Sequence, residues 1–109
     1  MSTIAPHRIF IIEALKEISE GKHADLVLEQ YRGDDRGTVQ HILLGILRWR
    51  GSLDQLIASC VKKNPKRAIR DILRLALFEH FFCHTPSHAA IHQAVELTRY
   101  VGKERKVNL

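Results

Sequence analysis

Apolar residues return along this chain every three to four positions, and no stretch alternates in the manner of a strand, so the pattern predicts helices throughout. A first helix is expected over about residues 6–20, with Ile11, Ala14, Leu15 and Ile18 as its buried stripe. Proline is accommodated at its start because the missing N–H would have no partner there, and Gly21 supplies a stop. A shorter helix over residues 24–31 would bury some of Leu26, Val27, Leu28 and Tyr31. Arg32-Gly33-Asp34-Asp35 reads as a turn in which either aspartate caps the next helix.

The third helix presents Val39, Ile42, Leu43, Ile46 and Leu47 on one face. Gly45 lies inside it at a cost of about 1 kcal/mol against alanine, which points to close approach of a neighbouring helix. Ser52-Leu53-Asp54-Gln55 fits a capping box, opening a fourth helix that buries Leu53, Leu56, Ile57, Cys60 and Val61. Asn64-Pro65 breaks the chain and caps a fifth helix with Ile69, Ile72, Leu73, Ala76 and Leu77 on its apolar face. Thr85-Pro86 starts a sixth, with Ile91, Ala94, Val95 and Thr98, and Gly102 is a stop before a short basic tail. Short connections and the absence of internal repeats make residues 1–109 one all-α bundle of six to seven helices.

Composition narrows the class. A chain of 109 residues, 45% hydrophobic and 27% charged, is ordinary for one soluble domain. No apolar run reaches the roughly 18–20 residues of a membrane span, and no signal peptide opens the sequence. Cys60 and Cys83 fall in apolar helical patterns, which suggests buried free thiols and a cytoplasmic setting. Charge is uneven. Residues 1–55 hold seven Lys/Arg against eight Asp/Glu, a net of −1, whereas residues 56–109 hold ten against four, a net of +6. A basic half fits either a polyanion such as nucleic acid or a solvated surface with no partner.

The candidate chemistry is therefore electrostatic. Arg67, Arg70 and Arg74 recur at three- and four-residue spacing, on a line expected to lie roughly opposite Ile69, Ile72 and Ala76. Lys63 and Lys66 stand just upstream, and Phe78 continues the row. Such a row neutralises phosphates, with an aromatic or guanidinium plane on an unpaired base. The alternative is a solvated face with Phe78 packed under another helix. Arg48-Trp49-Arg50 ends the third helix, where arginine is favoured by the helix dipole and Trp49 either anchors packing or meets RNA. His80, His84, His88 and His92 recur every four residues, but Thr85-Pro86 divides them and no further ligand completes a metal set. No glycine-rich phosphate loop, Gly-x-Ser-x-Gly elbow or strand–glycine–helix unit is present, so no catalytic site is assigned.

Three stretches carry a family resemblance: residues 45–54 (GILRWRGSLD), 72–79 (ILRLALFE) and 86–97 (PSHAAIHQAVEL). In this order and spacing they resemble the NusB-like all-helical RNA-binding domain. The first stretch is most similar to the version fused to the N-terminus of Sun/Fmu-type rRNA cytosine-5 methyltransferases. The resemblance spans about residues 8–109. It implies a domain that grips small-subunit rRNA for a C-terminal catalytic domain using S-adenosylmethionine, with no cofactor and no enzyme activity in this chain alone. That catalytic domain is also an implied partner. The implied contact set is Arg67, Arg70 and Arg74, then Lys63, Lys66, Arg48, Arg50 and Arg8; Arg74 has Asp71 three residues back as an alternative partner. Two further readings follow from the same resemblance. One is a free-standing antitermination factor, although the arginine-rich opening of those factors is reduced here to His7-Arg8. The other is a docking module for the methyltransferase domain through Phe10, Leu75 or Phe78. His92 stands where the family commonly has asparagine. Residues 106–109 resemble the start of a segment that continues in the methyltransferases, as expected for the N-terminal domain of a longer protein.

Overall fold

In the computed structural model, residues 4–107 are described, and side chains are described through residue 103. Met1–Thr3, Asn108 and Leu109, and with them the last two residues of the family-like ending, lie outside the described residues. Six helices follow one another and no strand occurs among the described residues: α1 (Pro6–Ser19), α2 (Ala24–Glu29), α3 (Arg36–Arg48), α4 (Arg50–Cys60), α5 (Arg67–Phe82) and α6 (Ser87–Val107). The all-α bundle expected from the periodicity is the observed fold.

The centre of the bundle is α5, which packs against α1, α3, α4 and α6. Its position explains why a single apolar stripe describes it poorly. Ile72, Leu75 and Phe78 are buried, but so are Asp71, Arg74 and Glu79. Ile11, Leu15, Val39, Leu43, Ile46, Leu53 and Leu97 from the surrounding helices close the core around it. Gly45 shows how tight the α3–α5 contact is. A Cβ there would overlap the ring of Phe78, so glycine is required by close approach.

Several local expectations are corrected. α3 and α4 are separated by Trp49 alone, so α4 begins at Arg50 and Ser52 already lies in its first turn. No side-chain capping hydrogen bond forms there. Asp35 does occupy the position before α3, but in a left-handed conformation (φ 58°) and without a capping bond. Lys66, not Asn64, precedes α5. α4 buries only Leu53 and Ile57, because it is packed on one side; Leu56, Cys60 and Val61 are exposed. Cys60 is thus a surface thiol. Cys83 is half-buried, and burial pushes its pKa up, which keeps it a neutral thiol. Gly102 does not end α6, which runs on to Val107. It is exposed, and the fractional cost of glycine is borne by a 21-residue helix.

Candidate nucleic-acid interface

The eight basic residues singled out from the sequence separate into three groups in space. Arg8 and Arg74 are internal. The Arg8 guanidinium grips Glu79 through two hydrogen bonds, Nε to Oε1 at 2.9 Å and Nη2 to Oε2 at 2.6 Å, and ties α1 to α5. Arg74 does the same for α4 and α5: Nε and Nη2 donate to the two oxygens of Asp54 at 2.7 and 2.8 Å, while Nη1 donates to Asp71 at 2.9 Å. Arg67 reaches the other oxygen of Asp71 at 2.8 Å. The result is a chain of charges, Asp54–Arg74–Asp71–Arg67, across the α4–α5 seam.

The titration of these groups follows the same contacts. Hydrogen bonding to Arg74 holds the Asp54 carboxyl below its ordinary value, supported by the charges of Arg74, Arg70 and Arg50 and opposed by partial burial. The Arg74 guanidinium is raised by its hydrogen bonds to Asp54, so it stays charged. Burial pushes Asp71 up, against the opposing pull of Arg74 and Arg67.

The expected solvated row is therefore not present as a row. Arg74 is buried; Arg70 is held by the carbonyl of Pro65 at 2.9 Å; Arg67 is engaged by Asp71 with its side chain still 40% exposed. The periodicity placed these arginines opposite Ile72, but α1, α3 and α4 cover that side of α5 as well. Phe78, which continues the row, is a core residue beneath α3.

A second group forms the corner between α3 and α4. Arg48, Trp49 and Arg50 are all exposed. The corner exists because the Trp49 N–H still bonds to Gly45 O and the Leu53 N–H already bonds to Trp49 O, both at 2.9 Å, so one residue makes the bend. Among the described residues no carboxylate lies within ion-pair distance of Arg48 or Arg50. Trp49 stacks on Phe82 with centroids 5.5 Å apart, and Phe82 stacks on Phe78 at 4.9 Å. The Arg48 guanidinium carbon lies 5.9 Å from the Trp49 ring centre. Sequence reasoning missed Phe82 entirely, since its distance from Trp49 along the chain gives no signal.

The third group, Lys63 and Lys66, is exposed in the α4–α5 connection, beside Arg67. Asp54 in the first turns of α4 meets Arg74 deep in α5, and Trp49 meets Phe82 at the end of α5, so the two helices run antiparallel. The lysine group thus lies at the opposite end of α4 from the arginine corner, about 16 Å away for 11 helical residues.

The histidine series is likewise divided. His80 Nδ1 is 2.8 Å from Thr85 O, His84 adopts φ 58° in the loop, and His88 and His92 lie on α6. Among the described residues no three His, Cys, Asp or Glu side chains converge as a metal site would require. No helix of the described residues is long and apolar enough to cross a membrane.

The NusB family profile matches residues 5–109. The chain belongs to the NusB family. Its relatives include the ribosomal RNA small subunit methyltransferase B of Pseudomonas putida, 38% identical over 64 residues, which are 56% of this chain and 15% of that protein. The protein of that name from Pseudomonas syringae pv. tomato is 30% identical over 96 residues, 81% of this chain and 21% of that protein. The one from Shewanella oneidensis is 28% identical over 80 residues, 71% of this chain and 19% of that protein. This NusB-family chain is homologous to the N-terminal region of those methyltransferases and spans about a fifth of their length or less. No solved structure matches it.

Proposed function

We propose that this NusB-family domain binds small-subunit rRNA in the cytoplasm and holds it for an S-adenosylmethionine-dependent cytosine-5 methyltransferase domain carried beyond residue 109. The observation that carries the reading is the similarity of this family domain to a segment of three rRNA methyltransferases, joined to an exposed arginine corner without carboxylate partners. The similarity to those methyltransferases also favours this reading over a free-standing antitermination factor. Two clefts of this domain do not suit S-adenosylmethionine: the α5–α6 groove is almost wholly apolar, and the cleft between α3 and α5 is lined by no carboxylate that would accept from ribose hydroxyls. In this reading the methyl-transfer chemistry belongs to the further domain.

In this reading Arg48 and Arg50 neutralise phosphates at one end of the α4–α5 pair, and Lys63, Lys66 and the exposed part of Arg67 do so at the other. Arg8, Arg70 and Arg74 hold these elements in place. Binding of a small-subunit rRNA hairpin, followed by anisotropy over a salt series, tests the proposal: affinity should fall steeply and linearly on logarithmic axes. Weak binding that ignores salt would contradict it.

A second reading, docking on the methyltransferase domain, is favoured by one observation. Ile69, Leu73, Ala76 and Leu77 of α5 and Ile91 and Val95 of α6 line an open apolar groove of about 640 Å³, with Ile91 63% exposed. Leu75 and Phe78, expected to serve this role, are buried, and Phe10 is packed on Tyr31. Hydrogen exchange of α5 and α6, compared between this domain and the longer protein, should show added protection along the groove if the domains dock there.

A further inference from the structure

The corner described above has a cavity beside it that phosphate binding does not use. Between α3 and α5 lies a cleft of about 460 Å³ lined by Gln40, His41, Arg48, Trp49, Phe78 and Phe82. Three of these residues form a ladder of stacked rings that begins in the core at Phe78 and reaches solvent at Phe82 and Trp49, which are 44% and 41% exposed. The core does not need the last two rungs, since Phe78 already fills the contact under Gly45. Phe82 is sandwiched between Phe78 and Trp49, so Trp49 ends the ladder, and its exposed ring is the apolar surface that can take a planar ligand. Beside the rings, Leu44, Gly37 and Gly45, the lining has three polar side chains: the Gln40 amide offers donors and an acceptor, His41 a ring nitrogen of either role, and Arg48 a cation. No carboxylate lines the cleft to repel a phosphate.

The geometry points to a binding site for one unpaired nucleobase of the RNA, stacked on the exposed Trp49 ring that Phe82 backs, with its edge toward Gln40 and His41 and its phosphate on Arg48 or Arg50. This rests on the RNA-binding reading and adds to it a commitment to single-stranded RNA. A base inside a duplex cannot enter the cleft, so the domain selects loops or bulges in which a base is already unstacked. Stacking is tolerant of base identity, and the Gln40 and His41 edge contacts supply what selectivity exists.

The chain contains one tryptophan, so its fluorescence reports on the site directly. The test uses three RNAs of equal length: a hairpin with an unpaired loop, the same hairpin with abasic loop nucleotides, and a fully paired duplex. The loop hairpin should quench Trp49 and bind about 10-fold more tightly than the other two, the scale of one base–aromatic stack. The abasic hairpin and the duplex should leave the fluorescence unchanged. Trp49→Leu and Phe82→Leu should each erase the preference for the loop, read by anisotropy of labelled RNA, while affinity for the duplex is kept. Trp49→Tyr should restore the preference, which a merely structural role would not require. Equal binding of all three RNAs with no quenching would overturn the base site and leave the RNA-binding reading intact. No binding of any of them at low salt would overturn both.

Discussion

Arg74 and Arg48 carry the same side chain and do opposite work. Arg74 lies across the α4–α5 seam with all three directions of its guanidinium taken by Asp54 and Asp71. Arg48 stands at the α3–α4 corner, exposed, against the ring of Trp49. The difference comes from what the neighbouring elements bring to each. Around α5 three carboxylates, Asp54, Asp71 and Glu79, meet three arginines, whereas among the described residues none comes within ion-pair distance of Arg48 or Arg50. A guanidinium satisfied by two carboxylates has no incentive to exchange them for a phosphate. One that is unpaired and solvated gains from releasing the counterions of a polyanion.

Substitutions that pull these two regions apart should differ in kind. The largest effect is expected for Arg74→Ala. It leaves Asp71 buried with only Arg67 and should destabilise the fold by about 3 kcal/mol or more in urea unfolding. Arg74→Lys should recover only part of that, lacking the two-pronged geometry. Gly45→Ala comes next. Alanine improves helix propensity by up to about 1 kcal/mol, but the overlap with Phe78 should outweigh this and give a net loss of about 1–3 kcal/mol. At the corner, Arg48→Glu/Arg50→Glu should leave stability within about 0.5 kcal/mol of wild type.

Two smaller effects appear on titration. Asp54 has its pKa lowered in the folded state relative to the ordinary 3.8, first by the Arg74 hydrogen bonds. Its contribution is therefore present above pH 3.8 and lost as pH falls through the lower folded value. Asp54→Asn should be about 1 kcal/mol less stable than wild type at neutral pH, with the gap closing below about pH 4. His7 behaves in the same sense for a different reason. Burial lowers its pKa from 6.5, with Arg8 assisting, so the unfolded chain binds the proton more readily. Stability should decline as pH falls from about 6.5, and His7→Gln should flatten that slope slightly.

The same contrast explains what could be read from the chain alone. The bounds of α1, the buried face of α3 and the close approach at Gly45 depend on one helix and its period, and the pattern contains them. The roles of Arg67, Arg70 and Arg74 depend on what α4 and its connection to α5 place against α5, which spacing within α5 does not encode. Asp71 was visible three residues from Arg74; Asp54, twenty residues away, was not. α4 was expected to bury five residues and buries two, because its outer face meets no other described helix. Arg48-Trp49-Arg50 carried the family resemblance from the start. Its stack on Phe82, from which the proposed base site is argued, came only from the fold.

The most direct measurement is the salt dependence of binding to a small-subunit rRNA hairpin, made in parallel for wild type, Arg48→Glu/Arg50→Glu and Arg74→Lys under conditions where all three are folded. The corner variant should bind at least about 10-fold more weakly, with a salt slope reduced by about 2, and Arg74→Lys should match wild type. Loss of binding in Arg74→Lys with the corner variant unchanged would contradict the assignment of phosphate contact to the corner and return it to the arginines of α5.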